Sequence, residues 1–95
     1  MYTRKQYMNK ECSHADYNRQ FVSPAMLRSV ESHIGVERIR ASTDEHLNDI
    51  PLWEWDLLPY NTSRELLKEC GDYLTQAGHV CIAKQAARML LEGEK

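Results

Sequence analysis

Apolar residues recur along this chain at spacings of three and four, the mark of helices with one buried face. The clearest case follows Ser23-Pro24, where Met26, Leu27, Val30, His33 and Ile34 fall on one side. Serine is a favoured N-cap, and proline suits the first helical position because its missing N–H would be unpaired there. Gly35 stands where a left-handed stop is expected, so the spacing predicts a helix over 24–34. Val36 and Ile39 extend it by a short turn ending near Ala41. In the last third, Leu66, Leu67, Cys70, Tyr73, Leu74 and Ala77 are followed in phase by Val80, Ala83, Ala87 and Leu90. Thr62 precedes Glu65 by three and reads as a capping box. Gly78 interrupts the run. An interior glycine costs about 1 kcal/mol against alanine, and globular helices average about 11–12 residues. The pattern therefore favours a break between Thr75 and Gly78 over one helix spanning 63–92.

The remaining segments are shorter. Thr3 caps a first helix through Cys12, with Tyr7 and Met8 on its buried side. Ser13, three residues before Asp16, opens a second over 14–22, in which Tyr17 and Phe21 share a face; a single bent helix is the alternative. Ser42-Thr43-Asp44-Glu45 reads as a cap with acids in the first turn, where the helix dipole favours them. Pro51 opens a helix over 52–58 that Pro59 closes, because the residue before a proline is driven from helical geometry. The alternation Leu52-Trp53-Glu54-Trp55-Asp56 is too short for a strand and lies between prolines. The expected fold is all-α: one domain over 1–95, a small bundle of about four to five helices with a long or broken C-terminal helix.

Composition narrows the class. A chain that is 42% hydrophobic and 27% charged is too apolar for a disordered segment. A net charge of −2 lacks the basic excess that phosphate contacts demand, which argues against a general nucleic-acid binder. The odd set Cys12, Cys70 and Cys81 suits reduced thiols. The polar start and the absence of any apolar run near the ~20 residues of a membrane span lead to an expected cytoplasmic location without membrane association.

Four constellations are candidates for chemistry. Cys12, His14, His79 and Cys81 have the residue types of a zinc site, but each pair is separated by one residue, which is tight for a tetrahedral ion and splays the side chains if helical. The bland reading is small buried thiols with histidines at helix ends, and no metal or other cofactor is assigned. In Asp44-Glu45-His46 with Asp49, a helix would put Asp49 on one face with Glu45 at i, i+4 and His46 at i, i+3; the group could hold a metal or stage acid–base chemistry, or could simply be acids stabilising a helix start. Residues 75–91 faintly resemble a helix-turn-helix offering Lys84, Gln85 and Arg88, yet the expected turn glycine is missing and alanine-rich stretches are more often packing faces. No phosphate loop, nucleophile elbow or metalloprotease motif is present, so an enzyme is not expected.

The fourth constellation is the most distinctive. Between Arg40 and Arg64 there is no lysine or arginine, while Asp44, Glu45, Asp49, Glu54 and Asp56 give this stretch a charge of −5 and leave +3 elsewhere. Both tryptophans lie within it. Trp53 and Trp55, two apart on a helix, cannot face the same core, so one is expected at the surface. Asp49, Trp53, Glu54, Trp55, Asp56 and Tyr60 are the candidate partner-binding residues, because exposed aromatics beside charges mark protein interfaces. The alternative packs Trp53 and Leu57 inward and lays Trp55 over a neighbouring helix.

Arg4-Lys5-Gln6-Tyr7-Met8, Cys12-Ser13-His14-Ala15-Asp16-Tyr17, Ser42-Thr43-Asp44-Glu45-His46 and Asn48-Asp49-Ile50-Pro51-Leu52 together resemble small proteins encoded by temperate lambdoid phages and enterobacterial prophages. The resemblance implies a setting, a bacterial host cytoplasm, and supplies no site residues. The functional expectation is an accessory protein that binds a host or phage protein through its acidic, tryptophan-containing surface. A nucleic-acid-associated regulator using Arg4, Lys5, Lys10, Arg19, Arg28, Arg38 and Arg40 is the alternative. A homodimer through the Ala/Leu face of 83–91 is left open.

Overall fold

Five helix starts in this protein follow one local rule: a serine or threonine hydroxyl accepts the backbone N–H three residues on. In the computed structural model, which describes residues 1–93, Thr3 caps α1 (Arg4–Met8), Ser13 caps α2 (His14–Arg19), Ser23 caps α3 (Pro24–His33) and Ser63 caps α6 (Arg64–Glu69). Thr75 does the same for α7 (Gln76–Glu92), the longest helix. Two short helices, α4 (Val36–Ala41) and α5 (Leu52–Asp56), lack side-chain caps and begin at Gly35 and Pro51. No strand occurs among the described residues, so the all-α expectation holds. The described residues form seven helices in place of the expected four to five, because turns divide segments that hydrophobic periodicity runs together.

The divisions have a common mechanism. After α6, Gly71 takes φ +78°; its N–H donates to the Lys68 carbonyl at 3.0 Å, and the Asp72 N–H donates to that of Leu67 at 2.8 Å. This is the six-to-one and five-to-two pairing that closes a helix with a left-handed residue. The C-terminal run therefore breaks at 70–74, earlier than the predicted Thr75 to Gly78. Gly78 is inside the first turn of α7, and its N–H donates to the Thr75 hydroxyl at 2.9 Å. The cap of α6 also moves by one, from Thr62, which is buried, to Ser63. After α1 the same closure is made by Lys10 at φ +59°, with Lys10 N–H to Tyr7 and Glu11 N–H to Gln6, so α1 stops short of Cys12 and leaves Met8 exposed.

α7 is the centre of the molecule. α2, α3, α4 and α5 all pack on it. His79, Val80, Ile82, Ala83, Gln85, Ala86 and Ala87 are buried, more than one face of a helix, as befits an element enclosed on several sides. Around it lie Tyr17, Phe21, Met26, Val30, Ile39, Trp55, Leu58 and Leu67. Of the Ala/Leu face of 83–91 named above as a possible dimer seam, Ala83, Ala86 and Ala87 are completely buried inside the monomer, while Leu90 and Leu91 are partly buried against the core. α7 also runs unbroken through the segment that would hold a helix-turn-helix, so no such motif exists. Its Lys84 and Arg88 reach instead to Asn48 Oδ1 at 3.2 Å and the Glu45 carbonyl at 3.1 Å.

The two tryptophans have opposite environments. Trp55 has no exposed surface, whereas Trp53 is 64% exposed. Truncating Trp55 to alanine is expected to cost about 3–5 kcal/mol, a large share of a small domain's stability. Trp53→Ala is expected to change it by no more than about 0.5 kcal/mol. Urea unfolding of the two variants followed by circular dichroism checks the contrast, and equal losses would contradict this placement.

Candidate functional site

The acidic segment is a loop followed by one short helix, held on the bundle at several points. No helix forms over 44–49. Asp44 Oδ1 accepts the His46 N–H at 2.8 Å, Asp49 Oδ2 accepts the Thr43 N–H at 3.1 Å, and Leu47 turns into a left-handed conformation with φ +56°. An aspartate that caps its own turn competes with helix formation. The proposed shared face of Glu45, His46 and Asp49 is therefore absent. The His46 ring lies 3.1 Å from the exposed Glu45 carboxylate, and the N–H received from His46 lowers the pKa of Asp44. These contacts close the loop.

Leu47 and Ile50 anchor the loop in the core, and Pro51 then starts α5. Trp55 and Leu58, three residues apart, form its inner side. Trp55 was expected among the partner-binding anchors; its complete burial removes it from any contact surface. The opposite side carries Leu52, Trp53 and Leu57, at 62%, 64% and 64% exposure. Trp53 and Leu57 do share a face, as their spacing requires, but that face is the outer one.

The charges of the segment divide in the same way. Glu54 is half-buried and receives both arms of the Arg38 guanidinium, at 2.5 and 2.6 Å, a fork that ties α4 to α5 and lowers the Glu54 pKa. Asp56 accepts Gln76 Nε2 at 3.1 Å at the start of α7. Asp49 and Glu45 remain exposed. The candidate set thus separates: Asp49, Trp53 and the half-exposed Tyr60 are at the surface, Glu54 and Asp56 are structural tethers, and Trp55 is core. Leu52 and Leu57 complete the outward apolar face. The predicted set missed them, although Leu52 adjoins Trp53 and Leu57 stands two residues after Trp55.

Under α5 lies His79. It is fully buried, its Nε2 is 3.1 Å from the Leu58 carbonyl, and the Tyr60 ring covers it at a centroid distance of 4.1 Å. Burial is the main influence on it and holds its pKa below the ordinary 6.5, against the opposing pull of the Leu58 carbonyl and the Asp56 carboxylate. The neutral ring donates from Nε2 to Leu58 and so clips α7 to the turn that ends α5. The other zinc candidates are elsewhere: His14 is exposed, with its ring nitrogens 2.7 Å from the Tyr7 hydroxyl and 3.0 Å from the Asn18 amide. Cys12 is half-buried, with burial raising its thiol pKa. No group of three or more metal-ligating side chains exists among the described residues.

A second polar arrangement went unforeseen because its members are far apart in sequence. Asp72, in the break between α6 and α7, accepts the Tyr17 hydroxyl at 2.5 Å and faces the Arg4 guanidinium at 3.4 Å. Tyr7 stacks on Tyr17 with ring centroids 4.6 Å apart. Burial, then the bond to Asp72, raises the Tyr17 pKa, so this phenol stays a proton donor. These residues line a cleft of about 450 Å³ reaching Cys81. Their polar groups satisfy one another and clamp the N-terminal segment to the chain break, where the Arg4 N–H also bonds the Cys70 carbonyl at 2.7 Å.

Part of the dispersed basic remainder is likewise committed. Arg4 pairs with Asp72, Arg19 with Glu92 and Arg38 with Glu54. No helix among the described residues is long and apolar enough to cross a membrane. Comparison with known protein families, with characterised proteins and with solved structures finds no match for this chain.

His79 makes stability depend on pH. Its folded-state pKa is lower than the unfolded 6.5, so below that pH the unfolded chain binds the extra proton and gains. The contribution of neutral His79 is fully present above pH 6.5 and is lost as the pH falls from there through the folded-state value. His79→Gln, which retains a donor near the Leu58 carbonyl, is expected to flatten that part of the curve. Denaturation midpoints measured across this range test it, and an unchanged slope in the variant would assign the effect to another group.

Proposed function

We propose that this chain is a small accessory interaction protein, working in the setting of lambdoid phages and prophages that its sequence resembles, and that it docks a protein partner on the outer face of α5. The observation that carries the reading is that Leu52, Trp53 and Leu57 are each more than 60% exposed on or beside one short helix. Contiguous exposed apolar groups on a small domain mark interaction surfaces, and tryptophan is foremost among interface anchors.

The surroundings specify the partner's chemistry. The approach to the face carries exposed Glu45 and Asp49, and the segment as a whole has no exposed cation between Arg40 and Arg64. The complementary partner presents an apolar stripe flanked by lysine or arginine. The apolar contact supplies affinity, while the acids speed encounter and orient the partner. The surface needs no induced rearrangement, because α5 is already fixed by Trp55, by the Arg38–Glu54 fork and by the Gln76–Asp56 bond.

The test is affinity capture from a bacterial host lysate with the intact protein and with Trp53→Ala and Leu57→Ser variants. Both substitutions are at exposed positions, so thermal melting is expected to be unchanged. The expected result is a partner retained by the parent chain and weakened tenfold or more by either variant, since an anchoring interface residue contributes about 2 kcal/mol or more. Trp53 emission should shift to the blue on binding, against the constant background of buried Trp55. A partner held equally well by both variants would place the contact elsewhere and defeat the proposal.

A further inference from the structure

Away from the α5 face, Tyr60, Arg64, Lys68 and Tyr73 surround an open cleft of about 290 Å³ whose apolar floor includes Leu67 and Leu74. Tyr73 is 77% exposed and is among the most exposed large side chains of the molecule. Tyr60 rests one side of its ring on His79 and is 48% exposed. Arg64 and Lys68 stand one turn apart on α6 and are both exposed. Neither makes an ion pair among the described residues. Like charges at this spacing disfavour a helix, and an anion seated between them removes that cost.

The cleft's lining also includes a carboxylate, Asp72, whose oxygens are engaged by groups other than Arg64 and Lys68. Asp72 Oδ2 takes the Tyr17 hydroxyl and faces Arg4, and its Oδ1 takes the Tyr73 N–H at 2.8 Å. Asp72 is thus paired with Arg4 and Tyr17, and it orients the residue that carries the exposed ring. The cleft presents two aromatic rings, a shallow apolar floor and two uncommitted cations. That combination matches a planar base bearing a phosphate: the ring stacks on tyrosine, and the phosphate takes charge-assisted hydrogen bonds from arginine and lysine. The volume is at the small end of ligand pockets, of about 300 Å³ upward, and suits one such unit.

We propose that this cleft binds a single nucleotide unit, stacked on Tyr73 and held through its phosphate by Arg64 and Lys68. The unit comes either from a free mononucleotide or from a single-stranded nucleic acid. This site is separate from the dispersed basic residues, several of which are already paired, and it is independent of the partner-docking reading. The overall charge of −2 gives no long-range attraction, so binding is modest and weakens as salt is raised.

The experiment measures fluorescence anisotropy of a short labelled oligothymidylate with the intact protein at low salt, with unlabelled adenosine monophosphate and inorganic phosphate as competitors. Binding that the mononucleotide displaces far better than phosphate does supports the proposal with a free nucleotide as source. Binding that neither displaces supports it with a single strand as source, provided the variants respond. Tyr73→Ala is expected to weaken binding roughly tenfold, the loss of one stacked base. Arg64→Glu and Lys68→Glu should weaken it at least as much and reduce the salt dependence, while Trp53→Ala leaves it unchanged. All four positions are exposed, and thermal melts verify folding. Absence of binding at low salt, displacement by phosphate as effective as by the mononucleotide, or binding indifferent to Tyr73→Ala and Arg64→Glu would each overturn it.

Discussion

Close approach to α7 is the constraint on which the other helices depend. A helix can be packed from several sides only if its inward positions are short, because each neighbouring backbone must come within about 8–10 Å of its axis. Ala83, Ala86 and Ala87 meet that requirement and have no exposed surface. The larger groups then come from the surrounding elements: Phe21 beyond α2, Met26 and Val30 from α3, Ile39 from α4 and Trp55 from α5. A larger residue at the alanine positions would push these helices outward and open voids between their side chains. The same arrangement leaves Gln76, Lys84 and Arg88 on the edge of α7, where they hold the acidic segment by Asp56, Asn48 and the Glu45 carbonyl.

Helix starts were legible in the sequence to a degree that helix ends were not. Thr3, Ser13 and Ser23 cap as their spacing predicts, because a hydroxyl accepting an N–H three residues on is a local event. The ends depend on left-handed residues. Gly35 was read correctly, whereas Gly71 was passed over for Gly78 because Cys70, Tyr73 and Leu74 continue the apolar phase across it. Lys10 and Leu47 adopt the same conformation with no glycine to announce it. Their strain is tolerated because each closes a turn that sets an anchor in place: Leu47 itself is buried, and Lys10 turns the chain into α2, which carries Tyr17.

The candidate surface was legible as a segment and misassigned in its details. That one tryptophan must face outward follows from two residues spaced by about 200° on a helix. Which one does so depends on the phase of a helix only five residues long, and that phase is set by Leu58 and His79, one beyond the helix and the other on a different element. Charge counting had a parallel weakness. The segment total treats Glu54 and Asp49 alike, yet Arg38, far enough back in sequence to lie outside the count, neutralises the first and leaves the second exposed. The Tyr17–Asp72–Arg4 cluster could not be read at all, since its members are brought together only by the packing of α2 against α7 and the turn after α6.

The outer face of α5 is not something the fold requires. α6 provides the comparison within the same molecule: it is of similar length, it also buries one side, through Leu67, and it presents Arg64, Glu65, Lys68 and Glu69 to solvent. α5 solves the same packing problem with Trp55 and Leu58, and nothing in that solution constrains the residues at 52, 53 and 57. Polar side chains there would leave every inward contact intact and would remove an association liability that exposed apolar groups bring. The fold is thus indifferent to Leu52, Trp53 and Leu57, while solvation acts against them. The docking role proposed for this face would reconcile the two, since a partner's apolar surface would take Leu52, Trp53 and Leu57 out of water.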